Sequence, residues 1–180
     1  MMARLCGLMT LAVMLFIWSS GQASLAAANE AKIRAAIAQS VRTIGYEVTD
    51  RPFGNDEQVV SLEGRDAEAY KPSTRMFVRL RSVRAWRRSA ATHFRYWLFR
   101  EAYDTEERAE DRVKQYLANY EERLATPEMS SHMISKTIIR VGVRRRGAVV
   151  YMLVTDGAYT LFDDKNREKI LSAILKAKNA

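Results

Sequence analysis

Residues 148–155, Ala-Val-Val-Tyr-Met-Leu-Val-Thr, constrain the fold more than any other stretch of the chain. As a strand, this segment puts Val149, Tyr151 and Leu153 on one face and Val150, Met152 and Val154 on the other. Neither face suits water, so the strand belongs in the interior of a sheet. Other segments of the chain read as strands that can flank it. Met76, Val78 and Leu80 alternate with Arg75, Arg79 and Arg81, the pattern of a half-buried strand. The alternation slips near Ser82–Val83, where a bulge is expected. In 92–101, Phe94, Tyr96 and Leu98 face one way and His93, Arg95, Trp97 and Phe99 the other. Residues 136–143 read as a further strand, joined to 148–155 by Arg144-Arg145-Arg146-Gly147 as the hairpin turn.

Helical spacing appears in three places. Ile33, Ile37, Val41 and Ile44 form one stripe, with Asn29 as N-cap and Gly45 as stop. Ala109, Val113, Tyr116, Leu117, Tyr120 and Leu124 form a second, in a helix over 104–124 opened by an Asp104–Glu107 capping box. Ile170, Leu171, Ile174 and Leu175 form a third, capped by Asp163 or Asp164. Residues 46–71 are irregular, with turn chemistry at Arg51–Asp56 and a short strand at 58–62. The expected fold is α+β: a mostly antiparallel sheet of four to five strands with helices packed on one face. The order of elements reads as a ββα–ββα pseudo-repeat.

The first 23 residues differ in kind from the rest. Arg4 is followed by a charge-free apolar run from Leu5 to Trp18, then by Ser19, Ser20, Gly21 and Gln22. Small residues from Ala23 to Ala28 offer cleavage sites. This is the pattern of a secretory signal peptide over 1–23, followed by a single domain over 29–180. The apolar run is short for the ~20 residues a spanning helix needs, which leaves an uncleaved N-terminal anchor as the alternative. In either case the domain lies outside the membrane, periplasmic or secreted, with no span after the leader is removed. The single cysteine, Cys6, lies in the leader. The remainder has no disulfide, no thiolate nucleophile and no cysteine metal ligand. With no Asn-x-Ser/Thr acceptor either, the composition points to a bacterial cell envelope.

The net charge is +8, and the leader holds only one charge. From Arg75 to Arg100 the chain carries Arg75, Arg79, Arg81, Arg84, Arg87, Arg88, Arg95 and Arg100 without one acidic residue. Guanidinium forks match phosphate and carboxylate oxygens, and the interleaved Trp97 offers a stacking surface. The candidate anion-binding residues are therefore Arg75, Arg79, Arg81, Arg84, Arg95, Arg144, Arg145 and Trp97. The competing explanation is that these arginines solvate an open sheet face and blunt its edges. Partners of the right charge are an anionic envelope polymer, lipid head groups or an acidic protein. Export and the lack of a recognition motif disfavour nucleic acid.

Catalytic signatures are missing. There is no Gly-x-Ser-x-Gly, no phosphate-binding glycine loop and no dinucleotide fingerprint. His93 and His132 stand alone, without the convergent ligands a metal needs. No catalytic residue, cofactor or metal is assigned from the sequence. Trp97 and Phe99 are read as core under a helix in preference to an exposed platform. The leading expectation is an exported, non-catalytic binding or accessory protein of the cell envelope. The alternatives are an inhibitor or immunity-type protein that binds a secreted enzyme and, furthest from the evidence, a glycan hydrolase using carboxylates from Glu63, Asp66, Glu68, Asp163 and Asp164.

Overall fold

The computed structural model describes residues 25–53, 56, 67–83, 95–125, 141–155, 164–177 and 180. Helix α1 spans 25–42 and ends in a turn at Gly45, whose φ of 89° a side-chain-bearing residue adopts only at a cost. Strands β1 (Tyr46–Thr49), β2 (Thr74–Ser82) and β3 (Arg95–Ala102) follow, then α2 (Glu106–Ala125), β4 (Val141–Arg146), β5 (Val149–Thr155) and α3 (Asp164–Lys176). The strands form one antiparallel sheet in the order β1-β2-β3-β5-β4. The α+β class and the antiparallel sheet are those the sequence led us to expect. Residues 1–24, the expected strand at 58–62, residues 84–94 and residues 136–140 lie outside the described residues. Among those described, no helix is long and apolar enough to cross a membrane.

The strand patterns explain where each layer goes. β5 is central and apolar on both sides, with Val150 through Val154 buried. Beside it, β3 sends Tyr96 and Leu98 to one face and Trp97 and Phe99 to the other, all four buried. Two apolar faces require two covers. On the first face, Met76, Val78, Leu80, Tyr96, Leu98, Tyr151 and Leu153 pack against Ile37 and Val41 of α1 and against Ile170, Leu171 and Ile174 of α3. On the second, Trp97, Phe99, Val143, Val150, Met152 and Val154 pack against Ala109 and Tyr116 of α2 and against Phe53. The helices thus flank both faces of the sheet, which corrects the expectation that they share one.

This placement also limits the pseudo-repeat. Both hairpins, β2-β3 and β4-β5, are followed by a helix, as the element order indicates. A rotation that exchanges the antiparallel neighbours β3 and β5 keeps each face of the sheet where it is. The two helices lie on opposite faces, so no such rotation superposes them.

Local chemistry differs from the sequence reading at three points. Tyr46–Thr49 pairs with the far end of β2, Tyr46 opposite Ser82 and Thr49 opposite Arg79, so β2 keeps its register up to Ser82, where it ends instead of bulging. The N-terminus of α2 is held by Thr105, whose Oγ1 accepts the Arg108 N–H at 3.3 Å, and not by a box centred on Asp104. Arg144, Arg145 and Arg146 belong to β4, while the turn is the pair Gly147–Ala148, with Gly147 at a φ of 56°.

Gly142 of β4 lies directly beneath α3. A Cβ there would stand 2.8 Å from Cδ1 of the fully buried Leu171. Gly142→Val is expected to destabilise the fold by ~1–3 kcal/mol through overpacking, measured as a lowered urea midpoint with an unchanged m-value.

Candidate functional site

Period-2 geometry divides the arginines between the two faces. On β2, Arg75, Arg79 and Arg81 project to the α2 side with Phe77, and Arg95 of β3 joins them there, directly opposite Arg81. Arg79 Nε donates to Asp56 Oδ2 at 2.8 Å, and its guanidinium lies over the Phe77 ring. Arg81 is paired with Glu47 of β1. Arg95 lies over the Phe53 ring at 5.3 Å and has no acidic partner among the described residues. Arg84 lies outside the described residues.

Asp56 organises this end of the sheet. Besides Arg79, it accepts the indole N–H of Trp97 at 2.7 Å and the backbone N–H of Phe53 at 3.0 Å. Trp97 is 1% exposed and meets Phe53 edge-on. The indole is therefore core, pinned at its one polar atom, and takes no part in an open stacking platform. Phe99 is equally buried.

The arginines of β4 are placed differently. Arg145 projects to the α2 side, where Nη1 lies 3.2 Å from Glu106 and Nη2 lies 3.7 Å from Glu110. Arg144 projects to the α3 side and meets Glu168 at 2.6 Å. Arg146, also on the α3 side, donates to the backbone oxygens of Leu175, Ala177 and Ala180 and so satisfies carbonyls at the C-terminal end of α3. Arg75, Arg79, Arg81 and Arg95 are brought together on one face. Arg144 and Arg145 are separated from them and from each other.

A charged cluster that the sequence did not reveal lies under α2. Glu101 of β3 and Arg112 of α2 are both fully buried, with Nε donating to Oε2 at 2.9 Å. Tyr103 donates to the same oxygen at 2.7 Å. Arg75 Nε approaches the other oxygen at 3.3 Å without hydrogen-bond geometry, leaving Oε1 buried and without a hydrogen bond. Aromatic faces complete the lining: Arg112 lies over Tyr70 and Tyr116, and Arg75 over Phe99. One carboxylate thus serves two guanidiniums in an apolar setting. Burial, then the hydrogen bond to Glu101, pushes the Tyr103 phenol above the ordinary tyrosine range.

Of the acids considered for glycoside hydrolysis, Glu68 is exposed and helical, and Asp164 opens α3. Glu63, Asp66 and Asp163 lie outside the described residues, as do His93 and His132. Among the described residues, no three His, Cys, Asp or Glu side chains converge as a metal would require. The chain matches no protein-family model, no curated protein and no solved structure.

Breaking the buried pair should cost far more than replacing it. Arg112→Met, which strands the Glu101 carboxylate, is expected to destabilise the fold by ~3–5 kcal/mol, and the double change Glu101→Leu/Arg112→Met by much less. Urea unfolding of the two variants checks this. The Tyr103 shift carries a second expectation. The unfolded chain ionises a tyrosine near pH ~10, whereas the folded chain retains this proton. Stability is therefore expected to fall as pH rises above the unfolded value. The fall should be shallower in Tyr103→Phe, measured by unfolding across the alkaline range.

Proposed function

We propose that the protein is an exported, non-catalytic binding protein of the cell envelope that engages an anionic partner at the β1-β2-β3 end of its sheet. The observation that supports this reading is the cross-strand pair Arg81–Arg95, two like charges placed directly opposite one another. Such a pair is unfavourable by roughly 0.2–1 kcal/mol in isolation. A third guanidinium, Arg79, stands two positions along β2, and the chain continues from Ser82 through Arg84, Arg87 and Arg88. Among the described residues, Glu47 and Asp56 answer part of this charge. An anion seated between Arg81 and Arg95 relieves the repulsion and receives two planar donor forks at once.

The reading narrows the residue set drawn from sequence. Arg79, Arg81 and Arg95, with Arg84 beside them in the chain, form the binding end. Arg75, Arg144 and Arg145 serve the packing of helices, and Trp97 serves the core. The partner chemistry is a phosphate or carboxylate carried on an envelope polymer, a lipid head group or an acidic protein surface. Export rests on the leader sequence.

The test is a titration of the purified protein with vesicles of anionic lipid, vesicles of neutral lipid and a phosphorylated envelope glycan, at low and high salt. Binding to an anionic ligand that weakens steeply with salt is expected. Arg81→Glu with Arg95→Glu is expected to reduce it roughly tenfold or more, an energetic change of ~1.4 kcal/mol or greater. Binding that is indifferent to this double reversal refutes the assignment.

A further inference from the structure

α1 and α3 cover the same face of the sheet, and a groove of about 640 Å³ runs between them. Ile37 and Val41 of α1 and Ile170 and Ile174 of α3 turn down into the core. The positions beside them carry small side chains, Ala36 and Ser40 on one helix and Ala173 on the other, which leave the space above the core unfilled. A cleft of this size suits a small ligand.

The two walls differ in what they offer. On α3 stand Lys169 and Lys176, both exposed, two turns apart and so roughly 10 Å from each other along the helix axis. Neither has a hydrogen bond or an ion pair among the described residues, and no described residue lining the groove is acidic. On α1 stand Ser40 and Thr43. Each hydroxyl donates its one proton back to the helix, Ser40 to the carbonyl of Ile37 at 2.9 Å and Thr43 to that of Ser40 at 2.7 Å. A hydroxyl engaged in this way offers only lone pairs to a visitor. One wall therefore supplies cations, and the other supplies acceptors.

That pairing selects an occupant. A bare anion such as sulfate answers the lysines but meets oxygen lone pairs across the groove. A neutral sugar answers the hydroxyls and leaves both ammonium groups without a counter-charge. We infer that the α1–α3 groove binds a phosphorylated sugar, its phosphate held by Lys169 and Lys176 and its hydroxyls donating to Ser40 and Thr43. The flexible four-carbon stem of lysine lets both ammonium groups converge on one group, and a phosphate monoester has the charge and the free oxygens to receive two of them. The groove lies on the opposite side of the sheet from Arg81 and Arg95, and the inference does not rest on their role.

The experiment titrates the whole protein with glucose 6-phosphate, sulfate and glucose in turn, at fixed ionic strength, and follows backbone amide shifts. Glucose 6-phosphate is expected to bind about tenfold more tightly than either of the others, with shifts clustered at residues 36–44 and 169–177. Lys169→Gln with Lys176→Gln is expected to abolish this binding. Thr43→Val, an exposed change of nearly equal shape, is expected to weaken glucose 6-phosphate several-fold and leave sulfate unchanged. Arg81→Glu with Arg95→Glu should leave the preference for glucose 6-phosphate over sulfate intact, which separates this site from the anion-binding end. Displacement of glucose 6-phosphate by vesicles bearing a phosphorylated glycolipid places the sugar on a membrane, and displacement by soluble sugar phosphates alone places it in solution. No binding of glucose 6-phosphate, equal affinity for sulfate, or shifts outside the groove overturns the proposal.

Discussion

The Glu101–Arg112 contact sets the geometry on which the rest of the α2 layer depends. Glu101 sits on β3, one of the two central strands, and Arg112 reaches it from the helix above. Removing both charges from water is costly, and well-packed apolar residues often serve stability as well. What the ion pair adds is orientation. Residues 109, 112 and 116 share a helical face, so a carboxylate fixed at one point of β3 accepts α2 in one rotation only. That rotation presents Ala109 and Tyr116 to the sheet, sends Glu106 and Glu110 towards Arg145, and leaves Leu117 beside the β4 edge.

Arginine performs the same service elsewhere in the molecule. Arg145 ties β4 to α2 through two glutamates, Arg144 ties the same strand to α3 through Glu168, and Arg146 ties it to the last carbonyls of α3. Among the described residues β4 has one neighbouring strand, and these struts hold it from above and below. Exposed ion pairs of this kind contribute little individually, ~0–1 kcal/mol. Their effect comes from attaching two layers to one short strand. The basic composition therefore reflects architecture as well as surface charge, and among the described residues the β1-β2-β3 end keeps guanidiniums in excess of their acids.

Much of this was legible in the sequence, because strands with one wet face and helices with one dry stripe announce their period. The alternation of Met76, Val78 and Leu80 with arginines placed β2 to within a residue, and the two-sided apolar run placed β5 at the centre. The stripes on α2 and α3 showed that each helix buries a face, but a stripe does not say which side of a sheet it will cover. The signal was present in β3: Trp97 and Phe99 opposite Tyr96 and Leu98 already demand two covers. Arg112 was invisible for a different reason. A charged residue in a charged helix reads as solvated, and its burial depends on a carboxylate on another element. β1 escaped notice because four residues carry too little periodicity. The Arg144–Arg146 run was mistaken for a turn because charge beside glycine resembles one, although the reversal needs only Gly147 and Ala148.

The strand that completes the middle of the sheet arrives late in the chain. β3 finds one neighbour immediately, in the hairpin with β2, but its other edge stays bare until β5 and α3 have been made. Trp97 and Phe99 have no complete enclosure before then, and neither does the apolar face of α1. Assembly therefore waits on contacts between distant segments, the slow kind of folding. Both cores of the sheet are complete only when β5 and α3 are in place. Should the chain cross a membrane before it folds, as we propose, the late arrival of these contacts keeps it threadable until they form.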